Sequence, residues 1–327
     1  MTAVAIEPTL RSANGPDASQ FETVACYLCG SESCTPFVWG EDDLTGKPGR
    51  FRFVTCDDCG LLFQNPRLTI EHIKPYYSDE YIAHRKKTDW GVLSGFCSWV
   101  MDRHDRQKDA LVTRFVKLDA RSKVLDVGCA VGTFLQKMRM RYGAEVSGVD
   151  FADLSAHPAL AGVDFRCGLF CEQDFGAKRF DLITMWHYLE HDYDPMRTLA
   201  FARDFLSENG RIVIEVPRLD STTFRLYRSR WPGLQAPQHT VLFDRERFLS
   251  AVKAAGLEVE AYLPYGAFPA FFYFFAGAAF TLLRGKGLNL SKAIYPYFIG
   301  QILFSPVLAF ERHLNFAMQT VVCRRPS

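Results

Sequence analysis

The sequence predicts an α/β protein built on one mostly parallel sheet. A cysteine-rich module precedes the sheet, and an apolar helical hairpin is inserted between its last two strands. Three observations support this prediction. From residue 123, short β-branched and apolar runs alternate with helical segments, a pattern typical of a sheet covered by helices on both faces. Two CxxC pairs precede residue 60, and two long uncharged segments lie near the C-terminus.

Composition limits the class of protein. The 327 residues are 48% hydrophobic, and 38 basic residues nearly balance 37 acidic ones, so the net charge is +1. Domains that hold long nucleic acids are usually much more basic, so we expect no nucleic-acid partner. The length allows one large α/β domain and a smaller module. Nothing in the sequence indicates the oligomeric state.

Residues 1–20 are rich in Ala, Ser, Pro and Gly and lack a basic stretch followed by an apolar core. They predict a disordered leader and not a signal peptide. Ten cysteines without an export signal indicate a reducing, cytoplasmic compartment, where grouped cysteines favour metal binding over disulfides.

Residues 21–66 form the cysteine-rich module, with the pairs in "CYLCGS" and "CDDCGL". Two residues between thiolates let both sulfurs reach one ion, and the following glycine frees the next amide to turn toward sulfur. Four thiolates suit a closed, tetrahedral, structural Zn²⁺ site of the zinc-ribbon type. Such a site has no open position for catalysis. Four free cysteines are the alternative, and Cys34 is a possible substitute ligand. The predicted ligands are Cys26, Cys29, Cys56 and Cys59.

Residues 67–122 are interpreted as a linker and helical cap. An Asn-Pro break is followed by a cluster of tyrosines, Tyr76, Tyr77 and Tyr81. Two interpretations are open: a packed linker with surface aromatics, or a cap that closes over a ligand.

Residues 123–327 contain the alternating segments. Five strands are predicted in "KVLDVGC", "AEVSGVD", "VDFRCGLF", "FDLITMWHYLEH" and "GRIVIEVPR", with helices in "VGTFLQKMRMR" and "MRTLAFARDFLSENG". A sixth and a seventh strand are predicted in "GLEVEAYLP" and "NFAMQTVVCRR". Open sheets of this kind bind ligands at the carboxyl ends of their strands.

The stretch "VLDVGCAVGTFL" is a strand, a glycine turn and the start of a helix. Ala130 stands between Gly128 and Gly132, so the GxGxxG fingerprint of dinucleotide sites is incomplete, and no Walker lysine follows. Asp126 would repel a phosphate but could hold an ammonium group, directly or through water. Asp150 ends the next strand and could accept both hydroxyls of a ribose. An ammonium, a ribose and no phosphate describe S-adenosylmethionine (SAM).

These residues carry a resemblance to class I SAM-dependent methyltransferases over roughly residues 123–325. "VLDVGCAVGTFL" resembles the first motif of that family, with Ala130 as a departure, and "VSGVD" resembles its ribose-binding motif. "FDLITMWHYLEHDYDP" is similar to the fourth-strand motif of the branch with the ubiquinone-biosynthesis O-methyltransferases. "LSENGRIVIEVPR" resembles the fifth-strand motif. The N-terminal "CxxCG…CxxCGLLFQNPR…YY" resembles the zinc-binding segment of a bacterial group that includes sugar C-methyltransferases.

The resemblance implies SAM as cofactor, bound at the carboxyl ends of the strands. Where the family often has an Asp beside the adenine, this chain has Leu169 and Phe170, so we expect backbone amides and apolar packing to recognise the adenine. The expected cofactor contacts are Asp126, Gly128, Cys129, Ala130, Gly132, Asp150, Phe151, Leu169, Phe170, Trp186 and His187.

Two histidines are candidates for the base that takes a proton from the methyl acceptor. His191 follows the fourth strand, with Glu190 placed to orient a ring. His239 lies in "WPGLQAPQHTVLFDRERF", whose PxHxxxF pattern recurs in the resembling group. Either histidine could instead be structural. A metal site is a further interpretation, but no second Glu/His pair follows at the spacing found in small-RNA terminal methyltransferases.

Two apolar segments, 261–283 and 293–310, contain no charged residue. They predict a hydrophobic insertion at 266–313 between the last two strands. Four prolines interrupt the segments, so a shallow interfacial or re-entrant hairpin, or a tight two-span hairpin, suits them. Basic side chains at the edges favour a membrane interface: Arg284, Lys286, Arg312 and His313. A buried helical cap or a dimer interface is the alternative.

The sequence therefore predicts a SAM-dependent methyltransferase that acts on a lipid-like or lipid-linked acceptor at the cytoplasmic face of the inner membrane. A soluble enzyme for a nucleotide-linked sugar or small metabolite is the alternative. An RNA methyltransferase and a non-catalytic SAM-binding membrane scaffold rank below these two.

Overall fold

A computed structural model describes residues 15–77, 94–283, 290–308, 310–311 and 313–326. It describes their side chains except at 94–101, 290–295 and 298. Three groups of sequence predictions lie outside these residues: most of the leader, Tyr81, and the basic residues Arg284, Lys286 and Arg312.

The described residues contain thirteen strands and eight α-helices, joined by short turns and 3₁₀ segments. The strands are β1 (Phe21–Glu22), β2 (Cys34–Gly40), β3 (Phe51–Cys56), β4 (Leu62–Gln64), β5 (Arg67–Leu68), β6 (Lys123–Val127), β7 (Glu145–Asp150), β8 (Asp164–Cys167), β9 (Phe180–Trp186), β10 (Leu206–Pro217), β11 (Val241–Leu242), β12 (Glu258–Leu263) and β13 (Met318–Arg324). The helices are α1 (Ile70–Ile73), α2 (Ser94–Val112), α3 (Thr133–Tyr142), α4 (Pro195–Phe205), α5 (Thr222–Tyr227), α6 (Arg245–Ala254), α7 (Phe271–Leu283) and α8 (Leu290–Leu308).

The central sheet has seven strands in the order β12-β13-β10-β9-β6-β7-β8. Strand β13 runs antiparallel to β10 and β12, and the remaining neighbours are parallel. The chain moves from β6 to β7 and β8 on one side and then returns to place β9 on the other side of β6. The carboxyl ends of β6 and β9 therefore border the topological switch point, where open α/β sheets bind ligands. The predicted α/β architecture with one mostly parallel, Rossmann-like sheet is confirmed.

The N-terminal module shares a sheet with the central domain. Strands β2, β3 and β4 are antiparallel, and β11 completes the sheet beside β4 through the pair Val241–Phe63. Cys26 and Phe63 are buried in the same apolar core as Phe243 and Phe248. The sequence predicts the module as a separate unit, residues 21–66, but its sheet is complete only when β11 joins it.

The apolar insertion is a helical hairpin between β12 and β13, as predicted. Helices α7 and α8 meet through aromatic rings, with the Phe271 and Tyr297 centroids 5.6 Å apart and those of Phe274 and Phe304 5.3 Å apart. Among the residues that the structure describes, no helix has both the length and the apolar character needed to cross a bilayer.

Candidate active site

The glycine turn after β6 adopts left-handed backbone conformations. Gly128, Ala130 and Gly132 have φ angles of 73°, 47° and 75°. A Cβ atom on Gly132 would lie 2.3 Å from Leu160 Cδ2, so a larger residue here would have to displace the Leu160 side chain as well as adopt a positive φ. Ala130 adopts the conformation at a cost of about 1–2 kcal/mol, the usual penalty for an L-residue there. The turn therefore forms in spite of the alanine.

Asp150 ends β7 beside this turn. Its Oδ2 accepts a hydrogen bond from the Ala130 amide at 2.9 Å, and its Oδ1 accepts one from the Ala152 amide at 3.0 Å. Two backbone donors thus orient the carboxylate at the strand end. This geometry suits the predicted acceptor of ribose hydroxyls.

Asp126 is buried near the end of β6 and accepts a 2.6 Å hydrogen bond from the Thr184 hydroxyl. Burial raises the pKa of Asp126 to about 7, although Lys108 opposes the shift. Lys108 lies on α2, with its Nζ 5.2 Å from the centre of the Trp186 ring. Sequence reasoning missed this lysine. The feature that could have identified Lys108 is the charged stretch "DRHDRQKD", which lies within a segment interpreted only as linker and cap.

The two residues proposed to replace the family's adenine-side acid separate in the structure. Leu169 is 39% exposed, whereas Phe170 is 1% exposed. The Phe170 ring packs into the core against Phe175 and Phe201, with centroids 6.1 and 5.0 Å away. This packing corrects the expectation that both side chains contact the cofactor, because Phe170 has no surface left for a ligand. Of the other expected contacts, Phe151 is 42% exposed and Cys129 is buried.

His187 lies between two buried carboxylates at the end of β9. Its Nε2 is 3.2 Å from Glu215 Oε1, and its Nδ1 is 3.6 Å from Glu190 Oε1. Burial acts to lower the pKa of His187, but Glu190 and Glu215 together raise it to about 9. His187 therefore carries a positive charge at neutral pH. The preceding Trp186 is buried and meets the Phe134 ring edge-on at 5.7 Å.

Glu215 connects this site to the apolar hairpin. The Glu215 carboxylate accepts hydrogen bonds from the amides of Ala267 and Phe268, at 2.6 and 3.0 Å. Burial opposes ionisation, but His187 and the two amides hold the pKa of Glu215 below its usual value. The Phe268 ring lies 4.8 Å from the His187 ring. The segment leading into α7 therefore forms one wall of the site.

The structure brings the two candidate base histidines together. The His191 and His239 ring centroids are 4.4 Å apart. His239 donates from Nδ1 to the Gly233 carbonyl at 2.8 Å, and His191 Nδ1 lies 3.1 Å from the Gln238 carbonyl. Burial lowers the pKa of both rings, that of His239 well below its usual value, so both are neutral at pH 7.

The segments that carry these histidines are joined by backbone and side-chain hydrogen bonds. The Thr240 amide donates to the Glu190 carbonyl at 2.8 Å. Gln64, in β4, donates from Nε2 to the Pro237 carbonyl at 2.8 Å, and its amide donates to the Thr240 carbonyl at 2.8 Å. The N-terminal module thereby supports the loop that carries His239.

The tyrosines of the linker have different roles. The Tyr76 ring is buried against Phe51, 5.7 Å away. The Tyr77 hydroxyl lies 2.9 Å from His191 Nδ1, and its ring meets Phe151 at 5.0 Å. The packed-linker interpretation therefore describes Tyr76, whereas Tyr77 reaches the site.

The four predicted thiolate ligands converge. Cys26 and Cys59 have Sγ atoms 3.4 Å apart, Cys29 and Cys56 have theirs 3.5 Å apart, and all four lie within 4.8 Å of one another. Gly30 and Gly60 have φ angles of 76° and 77°, which lets the chain turn back after each pair. Cys34 lies outside this group. Four convergent thiols match the donor set of a structural zinc site.

Comparison with known proteins agrees with the fold. Residues 101–262 match the family model described as a methyltransferase domain. The chain is 33% identical over 101 residues to a ubiquinone biosynthesis O-methyltransferase of Saccharophagus degradans and 40% identical over 101 residues to that of Chromobacterium violaceum. Each match covers 28% of this chain and 42% of the relative, so the chain spans about two fifths of the length of these curated relatives.

A solved structure shows the same fold. The Haemonchus contortus phosphoethanolamine N-methyltransferase 2, in complex with S-adenosyl-L-methionine, superposes with a TM-score of 0.50 at 18% identity. The match covers 81% of this chain and 63% of that one. Sheet order, glycine turn and family match agree, and the chain therefore carries a class I, SAM-dependent methyltransferase domain.

Proposed function

We propose that the chain transfers a methyl group from SAM to a hydroxyl of a lipid-like acceptor, at the cytoplasmic face of the inner membrane. SAM supplies an activated methyl group on a sulfonium. The observation that carries the proposal is the position of the hairpin: its inner end is bonded to the catalytic site, and its outer face exposes apolar side chains.

The cofactor residues act by holding and orienting. The Asp126 carboxylate, at the strand end, is the proposed partner for the ammonium group. The Asp150 carboxylate, held by two amides, is the proposed acceptor for the ribose hydroxyls. Positioning of this kind supplies much of the rate in a displacement that requires the acceptor and the methyl group to be in line.

The acceptor side offers a base. His191 and His239 are neutral neighbours, His191 half-buried and His239 buried, so a ring nitrogen of either can take the proton of an acceptor hydroxyl. Tyr77 and the Gln238 carbonyl orient His191, and the Gly233 carbonyl orients His239. The Phe268 ring, from the hairpin, lies on the same side as His187 and supplies an apolar wall for a hydrophobic acceptor.

The outer face of the hairpin is apolar and exposed. On α8, Ile299, Ile302 and Leu303 are 60%, 66% and 76% exposed, and Leu282 at the end of α7 is 82% exposed. The spacing i, i+3, i+4 places the α8 residues on one face of the helix, which is the reverse of a soluble helix that buries its apolar stripe. Exposed patches of this kind mark interaction sites, and a lipid surface suits the aromatic, proline-containing hairpin.

The relatives named above support a lipid-like acceptor, because they are ubiquinone biosynthesis O-methyltransferases. We further propose that the four-cysteine cluster holds one structural Zn²⁺. Its role is to keep the N-terminal sheet in the shape that supports the His239 loop through Gln64.

The test uses one phenolic acceptor in two forms, with and without a polyprenyl tail, and measures methyl transfer in the presence of phosphatidylcholine–phosphatidylglycerol vesicles. We expect the tailed acceptor to have the higher kcat/KM and the protein to sediment with the vesicles in high salt. The double variant I302E/L303E should lose sedimentation and the preference for the tail, with SAM affinity unchanged. Met140→Glu, at a position 80% exposed on α3, is the matched control and should behave as wild type.

A soluble enzyme for a nucleotide-linked sugar or small metabolite predicts the opposite result. The protein would then stay in the supernatant, ignore the tail and tolerate I302E/L303E. That combination would refute the lipid assignment and leave the methyltransferase assignment intact. Absence of SAM binding by calorimetry would refute both and favour a non-catalytic scaffold.

A further inference from the structure

Glu190, His191 and His239 form a second group of potential metal ligands, separate from the cysteine cluster. A carboxylate oxygen of Glu190 and a ring nitrogen of each histidine lie within 4.8 Å of one another. Glu190 is 1% exposed and His239 is 3% exposed. Two imidazoles and one carboxylate are a donor set used by several first-row transition metals.

Both carboxylate oxygens of Glu190 are buried without a hydrogen-bond partner among the residues that the structure describes. His187 Nδ1 stands 3.6 Å from Glu190 Oε1, an ion-pair distance, without forming a hydrogen bond. Leaving a buried carboxylate unsatisfied is costly, usually by several kcal/mol. The orphaned carboxylate is therefore evidence for a cationic ligand that is independent of the clustering.

The hydrogen bonds of the two rings select the atoms that can bind. His239 Nδ1 faces the Gly233 carbonyl and His191 Nδ1 faces the Gln238 carbonyl, and a carbonyl oxygen only accepts. Each Nδ1 therefore carries a proton, which the Tyr77 hydroxyl beside His191 Nδ1 can also accept, and the lone pair of each ring is on Nε2. Metal-binding histidines are commonly oriented in this way by a backbone carbonyl on the other nitrogen.

The charge of the surroundings also favours a cation. Glu190 and Glu215 both flank His187, so two carboxylates share a single imidazole. The amides of Ala267 and Phe268 partly satisfy Glu215, whereas Glu190 has no such donors.

We propose that the Glu190 carboxylate and the Nε2 atoms of His191 and His239 bind one divalent transition-metal ion on the acceptor side of the site. Three protein ligands leave positions open, and a hydroxyl oxygen of the acceptor can occupy one of them. The role for the acceptor rests on the proposed function, but metal binding itself does not. The two Nε2 atoms cannot accept protons while they bind the ion, so metal occupancy decides which role these histidines have.

The experiment titrates Mn²⁺ into the full chain loaded with one zinc per chain, enough for the cysteine cluster alone, and follows free Mn²⁺ by electron paramagnetic resonance. Mn²⁺ prefers oxygen and nitrogen ligands to thiolates, so the cysteine cluster should not compete. We expect one Mn²⁺ per chain in the wild type. Glu190→Gln and His239→Gln should each weaken binding by at least about 10-fold, because even the loss of an outer partner of a ligand costs 10–100-fold. His72→Gln, which removes a histidine bonded to Thr69 and not part of the ligand group, should bind as wild type.

Zinc content and circular dichroism identify any variant that fails to fold. A measurement on the wild type alone keeps the proposal testable: bound Mn²⁺ should broaden the ring-proton NMR signals of two of the eight histidines most strongly, those of His191 and His239. A folded wild type that binds neither Mn²⁺ nor Co²⁺ beyond the cysteine cluster, or variants that bind as tightly as wild type, would overturn the site. Metal binding without any transfer to a tailed acceptor would leave the site standing and refute the lipid assignment.

Discussion

The cofactor side and the acceptor side of this domain are built in different ways. The cofactor turn comes from one continuous stretch between residues 124 and 150, and its main contacts are backbone amides and the Asp150 carboxylate. The acceptor side combines Tyr77, His191, His239 and Phe268, which come from four separate parts of the chain. A contiguous site can be inferred from a motif, whereas a composite site needs the fold that assembles it.

The two sides also differ electrostatically. The cofactor side has buried acids, one of them with a pKa raised to about 7. The acceptor side has two neutral histidines beside a charged histidine that is shared by two carboxylates. The first arrangement suits a cationic ligand group that arrives with the cofactor, and the second suits proton transfer or a metal ion.

The largest expected effect is that of a cysteine-cluster variant, which should disable the acceptor side and leave the cofactor side intact. Cys56→Ser should remove the zinc, about one ion per chain, and unfold the N-terminal module, because metal binding and folding are coupled in such modules. Methyl transfer should be lost with the support for the His239 loop, while SAM affinity stays within about threefold of wild type, well under the tenfold that 1.4 kcal/mol represents. Metal analysis and calorimetry measure the two outcomes. Cys34→Ser is the control and should keep its zinc; equal loss of SAM binding in Cys56→Ser would show that the two sides are not separable.

The next effect concerns the ribose acceptor on the cofactor side. Asp150→Ala should weaken SAM binding by about 1–3 kcal/mol, because the ribose hydroxyls lose their partner and the Ala130 amide loses its acceptor. Calorimetry gives the dissociation constant. Asp153→Ala, an exposed acid bonded to Ser155, should change it little. An unchanged constant in Asp150→Ala would mean that the ribose lies elsewhere.

A smaller effect follows from the titration of Asp126. Its folded pKa, about 7, exceeds the unfolded value of about 3.9, so its contribution to stability is present below pH 4 and is lost as pH rises through 7. SAM binding should show the opposite trend, because only the ionised carboxylate attracts an ammonium group. We expect affinity to rise up to about 10-fold between pH 6 and 8, equivalent to about one pKa unit of interaction. Asp126→Asn should flatten this profile, and a pH dependence that survives the substitution would place the ammonium away from Asp126.

The smallest expected effect is at Ala130. Ala130→Gly relieves the left-handed strain, about 1–2 kcal/mol, but adds backbone entropy to the unfolded chain, about 0.5–1 kcal/mol. The free energy of unfolding should therefore rise by no more than about 1.5 kcal/mol, and SAM affinity should be retained. Thermal unfolding and calorimetry test both. Substantially weaker SAM binding in Ala130→Gly would show that the methyl group contributes a contact.

The sequence predictions were more accurate for the contiguous cofactor side than for the composite acceptor side. The strand, turn and helix around Gly128 were predictable because periodicity, positive-φ positions and a strand-end acid are local properties. The orientation of the Phe170 side chain was not predictable. A phenylalanine after a strand end can point to a ligand or to the core, and only its packing against Phe201 decides between them. The partner of His191 was also missed, because His239 is 48 positions away and no spacing rule joins them.

The sequence by itself determined the α/β sheet, the glycine turn, the convergence of two CxxC pairs and the place of the apolar insertion. Each of these depends on interactions between residues close in the chain, or on a repeat of hydrophobic character. Only the tertiary structure decided that β11 completes the N-terminal sheet, that Glu215 holds the hairpin against the site, and that Glu190, His191 and His239 meet. The physical reason is that buried polar groups take their partners from whatever segments the core packing brings beside them.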